Sequence, residues 1–151
     1  MRIEIFDNSK AAGAVDVGAY AWMALRFTMT EASLPVPQVM DSDAFTALWD
    51  QGALVLTGLY DNDEIVGCRI VAVNSHLLSS TAMVGVGVLV FVDPRFRRRG
   101  FGAEMITKTN DYLEKYRNVW LFDEPVVTLQ SREMFDSLGY TTKAFIMSRG
   151  S

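Results

Sequence analysis

Between Arg95 and Gly102 the sequence reads RFRRRGFG, with arginine at 95, 97, 98 and 99 and glycine at 100 and 102. Those residue types suit a phosphate-bearing ligand. Guanidinium forks pair with phosphate oxygens, and residues without a Cβ let a ligand reach main-chain N–H groups. Other chemistry-bearing side chains are sparse. The single cysteine, Cys68, excludes an internal disulfide, and with only one histidine, His76, no Cys/His metal site is expected. Cys68 lies inside the apolar run IVGCRIVAV and reads as a core residue. His76, in the loop NSHLLSST, reads either as a general base or as a loop histidine that titrates without consequence.

The elements around the arginine-glycine run position it. Met83 to Val92 (MVGVGVLVFV) is almost wholly apolar and predicts a strand covered on both faces. From Met105 onward, Met105, Ile106, Tyr112, Leu113 and Tyr116 fall on one helical face, with Glu104/Lys108 and Asp111/Lys115 as i,i+4 pairs for the wet face. The loop therefore opens a helix, where unpaired N–H groups and the positive end of the dipole attract anions.

Val92-x-Pro94 followed by Arg97-x-x-Gly100-x-Gly102, with a strand before and a helix after, resembles the acyl-CoA loop of GNAT-type N-acetyltransferases. The resemblance implies an α/β fold: a central, mixed, mostly antiparallel sheet of six to seven strands flanked by about four helices. It also implies a splay between the fourth and fifth strands into which the acyl chain enters. Acetyl-CoA would be the cosubstrate. By the same resemblance the main chain of Arg98, Arg99, Gly100, Phe101, Gly102 and Ala103 would cradle the pyrophosphate. Arg97 fills the motif's basic position, the backbone of Phe91 and Val92 would pair with pantetheine, and Thr128 stands where relatives carry a cofactor-side Asn.

Three role-bearing side chains of that family are replaced. Val88 stands at the register of a glutamate base, Phe135 at that of the tyrosine that protonates the thiolate, and Thr128 at that of the asparagine. Acetylation needs a neutral amine, and an ordinary lysine with pKa ~10.4 is neutral only about once in 2,500 molecules at pH 7. His76, Asp93, Asp123 and Glu124 are the substitutes for a base, and Tyr140 is the spare phenol for an acid. Each of them also reads as a structural or solvent-facing residue; Asp93 in particular can form the turn before Pro94. A thiolate of pKa about 8.5 can leave without full protonation, so transfer remains feasible without the acid. The expected activity is transfer of an acetyl group from acetyl-CoA to a primary amine of a small molecule, or to a protein lysine or N-terminus. The competing reading is a catalytically weak or inactive module that binds CoA or a protein partner.

Composition sets the remaining bounds. The 151 residues are 50% hydrophobic, enough for one domain spanning 1–151 with a sizeable core. A formal charge of −4 argues against nucleic acid as a partner; a small contact through Arg95 to Arg99 is the weaker alternative. No apolar run is long and uncharged enough for a membrane, and the N-terminal MRIEIFDNSK reads as a strand rather than a signal peptide, so a cytoplasmic location is expected. A homodimer is compatible with this kind of fold.

Along the chain we expect a first helix over about 17–27 capped by Asp16, an irregular stretch over 28–40, and a second helix capped by Asp41 or Ser42 and closed by Gly52. A hairpin of strands at 53–60 and 65–73 turns through Asp61 to Glu64. After the long strand and its helix come a strand at 119–122, a helix near 129–138 stopped by Gly139, and a strand at 140–147. Tyr20, Trp22, Met23 and Phe27 make the first helix unusually bulky; core packing or the lining of an acceptor pocket accounts for them.

Overall fold

The structure is a computed structural model, and it describes residues 1–31, 33, 41–75, 83–117, 119–123 and 129–140. Strands β1 (Arg2–Phe6), β2 (Leu54–Asp61), β3 (Glu64–Ser75), β4 (Met83–Val92) and β5 (Val119–Asp123) form one sheet in sequence order. β1 to β4 run antiparallel, and β5 lies parallel to β4. The helices are α1 (Ala14–Glu31), α2 (Ser42–Asp50), α3 (Phe101–Arg117) and α4 (Leu129–Ser137). The expected strand at 140–147 lies outside the described residues apart from Tyr140.

Strand alternation sorts the core into two layers. Phe6, Leu56, Tyr60, Cys68, Leu89 and Phe91 face α1 and α2. On the opposite face Val55, Val71 and Val73 pack on Leu113 of α3, and Leu59, Val66, Val90 and Val92 pack on its Met105. Met105, Ile106 and Leu113, three of the expected apolar face, are fully buried, and Glu104 pairs with Lys108 at 3.4 Å on the wet side. Thr57 and Thr109 share a buried hydrogen bond of 2.7 Å between β2 and α3. Cys68 is fully buried, and burial pushes its thiol up to about 12, as a core residue should behave.

The turns follow their residue chemistry. Asp41 caps α2 by accepting from the Ala44 N–H at 2.9 Å, and Gly52 behind it is left-handed at φ 72°. Asn62 takes φ 54° in the two-residue turn that joins β2 to β3. Two expectations need correction. α1 is longer than 17–27: Thr28 and Thr30 hydroxyls donate to the Ala24 and Arg26 carbonyls at 2.8 Å, so residues read as irregular continue the helix. Asp16 accordingly sits in its first turn rather than at its cap. β4 is not covered on both faces, because Val88 is 47% exposed. The β3–β4 register steps from Ile70↔Leu89 to Val71↔Gly87, leaving Val88 as the extra residue of a bulge.

Candidate functional site

The parallel pairing of β4 with β5 runs from Met83↔Val119 to Gly87↔Asp123. Among the described residues it stops there. Val88 to Val92 therefore carry a strand edge with alternating N–H and C=O groups that no described strand residue answers, and the bulge at Val88 lies where the described pairing ends. The splay expected between the fourth and fifth strands would open at this point; residues 124–128, which follow β5, lie outside the described residues.

The edge leads directly into the arginine-glycine loop. Asp93 caps a short 3-10 turn, Pro94–Phe96, by accepting from the Arg95 N–H at 2.9 Å. Arg98 (φ 65°) and Gly100 (φ 81°) are both left-handed. For arginine that conformation costs about 1–2 kcal/mol. Turns of this kind aim successive N–H groups into one concavity, the geometry of an anion nest. The first intrahelical bond of α3 is Glu104 N–H to Gly100 O at 3.0 Å, so the N–H groups of Phe101, Gly102 and Ala103 have no acceptor within the helix. Among the described residues nothing lies within 4 Å of where a Gly100 Cβ would be, and a Gly102 Cβ would sit 3.4 Å from Met134 Sδ of α4 and 3.7 Å from Val92 Cγ2. A diphosphate has open main chain to approach at Gly100, and α4 closes over the helix start at Gly102.

Arg97 folds back instead of pointing outward. Its Nε donates to the Val92 carbonyl at 2.7 Å, its guanidinium pairs with Glu31 at the end of α1 at 3.5 Å, and it lies 5.3 Å from the Phe91 ring centroid and 5.9 Å from that of Phe27. Phe27 and Tyr20 meet Phe91 edge-on at 5.7 and 6.1 Å. Beneath these rings is a cavity of about 240 Å³ lined by Tyr20, Met23, Ala24, Phe27, Phe91 and Asp93, together with Pro94. Three of the bulky residues noted in α1, Tyr20, Met23 and Phe27, thus line a cavity. A second groove of about 370 Å³ lies between α1 and α2, bounded by Val15, Gly18, Phe45 and Trp49.

Of the substitute bases, Asp93 is fully described. Arg95 holds its carboxylate through Nε at 3.1 Å and Nη2 at 3.0 Å, and this side-chain bonding keeps its pKa below the usual carboxylate value despite partial burial. A carboxylate so engaged is a weak proton acceptor. Arg95 also pairs with Glu64 at 3.1 Å. His76, Glu124 and Thr128 lie outside the described residues, as does the Asp123 side chain; the Asp123 backbone ends β5 opposite Gly87.

Tyr140 follows α4, its N–H bonded to the Phe135 carbonyl at 3.1 Å. Phe135, where the resemblance implies a phenol, is buried and packs edge-on against the Tyr140 ring at 5.1 Å. The Tyr140 hydroxyl accepts from Asn110 Nδ2 at 2.8 Å, while Asn110 Oδ1 accepts from Nη2 of the buried Arg69 at 3.3 Å. Neither Arg69 nor Asn110 stood out in the sequence. Arg69 falls inside an apolar run, and a lone polar residue in such a strand is the signal that could have flagged it. Among the described residues no group of three or more His, Cys, Asp or Glu could hold a metal, and no helix is long and apolar enough to cross a membrane.

Comparison with known proteins adds an independent finding. The family model described as Acetyltransferase (GNAT) family matches residues 19–140. No curated protein matches in sequence. Among solved structures, the aminoglycoside acetyltransferase meta-AAC0020 from an uncultured soil metagenomic sample, in complex with trehalose, superposes with a TM-score of 0.72 at 17% identity, covering 99% of this chain and 94% of its own. A predicted acetyltransferase with acetyl-CoA from Clostridium acetobutylicum gives 0.73 at 14% identity, over 99% and 95% of the two chains. The ribosomal-protein-alanine N-acetyltransferase of Brucella melitensis biovar Abortus gives 0.61 at 15% identity, over 99% and 100%. At these identities the likeness is one of fold.

Proposed function

The chain belongs to the GNAT acetyltransferase family, and from that premise we propose that it transfers an acetyl group from acetyl-CoA to the primary amine of a small-molecule acceptor. The observation that carries this reading is the continuity of the β4 edge, which no described strand residue pairs from Val88 onward, with the N–H groups at the start of α3 that have no acceptor within the helix. One end suits an extended polyamide chain, the other a diphosphate, and the two are joined without a break. The residues present fit CoA: Gly100 leaves the approach clear, and Arg98 and Arg99 supply charge beside it. A structural neighbour with acetyl-CoA supports the choice of donor, and neighbours described as aminoglycoside acetyltransferases support a small-molecule amine over a protein acceptor.

The chain's own groups divide the work. Main-chain N–H groups of 98–103 hold the diphosphate, and the β4 edge aligns the thioester beside the fork. Edge N–H groups beyond Gly87 are fixed donors for the carbonyl oxygen as it gains charge, and such preorganised donors are worth about 3–4 kcal/mol each in comparable sites. The Tyr140 phenol, held by Asn110, is the candidate for returning a proton to sulfur. With Val88 in place of an acid and Asp93 engaged by Arg95, proximity carries more of the acceleration than general-base chemistry.

The apolar Val88 and Phe135 favour a second reading, a module that binds CoA without turnover. Thiol release from acetyl-CoA over a panel of primary amines separates the two. Release above the amine-free blank is expected; tight CoA binding with no release for any amine would leave the binding module.

A further inference from the structure

A buried arginine on β3 is tied to the end of α4 by hydrogen bonds that can run in only one direction. Arg69 lies across from Thr57, which bonds Thr109 of α3, and across from Val90, which packs with Met105; it therefore faces α3 beside the β4 edge. Arg69 is fully buried. Burying a guanidinium is costly, and an apolar residue in place of a buried charge is often neutral or stabilising, so stability alone does not account for it. Arginine carries donors and no acceptor, so the Asn110 atom that meets Nη2 at 3.3 Å is the amide oxygen. The amide nitrogen is thereby turned the other way, and it donates to the Tyr140 hydroxyl oxygen at 2.8 Å. The phenol's own hydrogen takes no part in that bond. Donors in series polarise one another, and an amide N–H on the phenol oxygen favours the phenolate left when the proton departs. The same end of α4 covers the donor loop. Met134 stands over Gly102, Phe135 packs edge-on against the Tyr140 ring at 5.1 Å, and the Phe135 carbonyl accepts the Tyr140 N–H at 3.1 Å. β3, α3 and α4 thus converge on one phenol.

We propose that Arg69 and Asn110 are positioning residues for acyl transfer, orienting Tyr140 so that its O–H donates to the departing sulfur. The proposal rests on the acyl-transfer reading above. The lone pair of a neutral amine forms the N–C bond to the thioester carbonyl, and the C–S bond breaks with its electron pair on sulfur. The Tyr140 proton passes to that sulfur. The phenolate, stabilised by Asn110 Nδ2, is reprotonated through solvent by the surplus proton on nitrogen, so the products are amide and free thiol. Arg69 touches no reactant; it acts by denying Asn110 the opposite amide orientation. In that orientation the amide oxygen would face Tyr140 and draw the phenol's hydrogen to itself.

Asn110→Asp tests the direction of these bonds without removing a partner. The carboxylate still accepts from Arg69, but it has no donor, so Tyr140 must donate to it. Free-thiol release is measured with acetyl-CoA and hydroxylamine, an acceptor of minimal size that is neutral near pH 7. Asn110→Asp and Tyr140→Phe should each lower kcat about 100-fold, the low end of what an acid contributes, with the KM for acetyl-CoA and the circular dichroism unchanged. The double variant should be no slower than Tyr140→Phe, because both changes remove the same proton delivery. Raman spectra supply a reading that needs no turnover. The tyrosine Fermi doublet of Tyr140, isolated by subtracting the spectrum of the matching Tyr140→Phe protein, should move toward the intensity ratio of a donating phenol on Asn110→Asp. Unchanged kcat in Asn110→Asp, additive losses in the double variant, or a doublet that does not move would each overturn the proposal while acyl transfer stands. No wild-type release above the enzyme-free blank would instead defeat the acyl-transfer reading, and this role with it, whatever the doublet shows.

Discussion

Arg97 Nε donates to the Val92 carbonyl at 2.7 Å, so the loop is clasped to the last residue of the strand it leaves. The same side chain reaches Glu31 and the Phe27 and Phe91 rings, linking the donor loop to the end of α1. Arg97→Gln should therefore weaken acetyl-CoA binding roughly tenfold, the scale of one charge-assisted hydrogen bond. Its melting temperature should fall by a few degrees, because the Val92 bond within the protein is lost as well, while the Glu31 pair is solvent-exposed and adds under about 1 kcal/mol. Titration calorimetry and a thermal melt check the two halves.

The buried Thr57–Thr109 pair gives a stability prediction. Thr109 Oγ1 donates to the Met105 carbonyl at 2.7 Å, which commits its proton and makes Thr57 the donor between the two hydroxyls. Thr109→Val orphans Thr57 inside the core and should cost about 1–3 kcal/mol, whereas Thr57→Val with Thr109→Val should come close to wild type. Urea denaturation of the double-mutant cycle measures the coupling.

Asp7 is buried where β1 ends, and Tyr112 of α3 donates to its carboxylate. Burial alone would raise its pKa, but the Ser9 and Tyr112 hydroxyls with the Ser9 and Lys10 N–H groups outweigh it and hold the pKa below the usual value. A depressed native pKa contributes stability above the unfolded value of about 3.9 and loses it as pH falls through the native pKa. Wild type should destabilise below about pH 4, and Asp7→Asn should be weaker at pH 7 by about 1–3 kcal/mol with a flatter acid profile. Denaturation midpoints from pH 7 down to pH 3 read both.

Cys68 should resist alkylation by iodoacetamide at pH 8 until the protein unfolds, since its thiol is inaccessible and pushed up to about 12. Intact mass before and after adding denaturant is the measurement.

The parts of the fold written in local chemistry were legible in the sequence. The apolar run of β4, the glycines behind it, the periodic face of α3, the Asp41 cap and the closing glycines each depend on neighbours within a few residues. What could not be read depends on contacts made only after folding. The Val88 bulge needs the β3 register, and the extension of α1 needs threonine hydroxyls that bond backward instead of breaking the helix. Asp7 with Tyr112 joins residues 105 apart, and Arg69 with Asn110 residues 41 apart; neither leaves a periodic trace. Arg97 read only as the basic position of the loop motif, and nothing in its spacing says that aromatic rings on α1 and β4 draw it inward.

The main chain at the start of α3 is the centre of the account, and one titration addresses it. Acetyl-CoA titrated into wild type should give saturable heat, and Gly102→Glu, which sets a carboxylate among the same N–H groups, should weaken binding at least about tenfold while its circular dichroism stays unchanged. Equal affinity for both proteins, or no heat from wild type at millimolar acetyl-CoA, would contradict it.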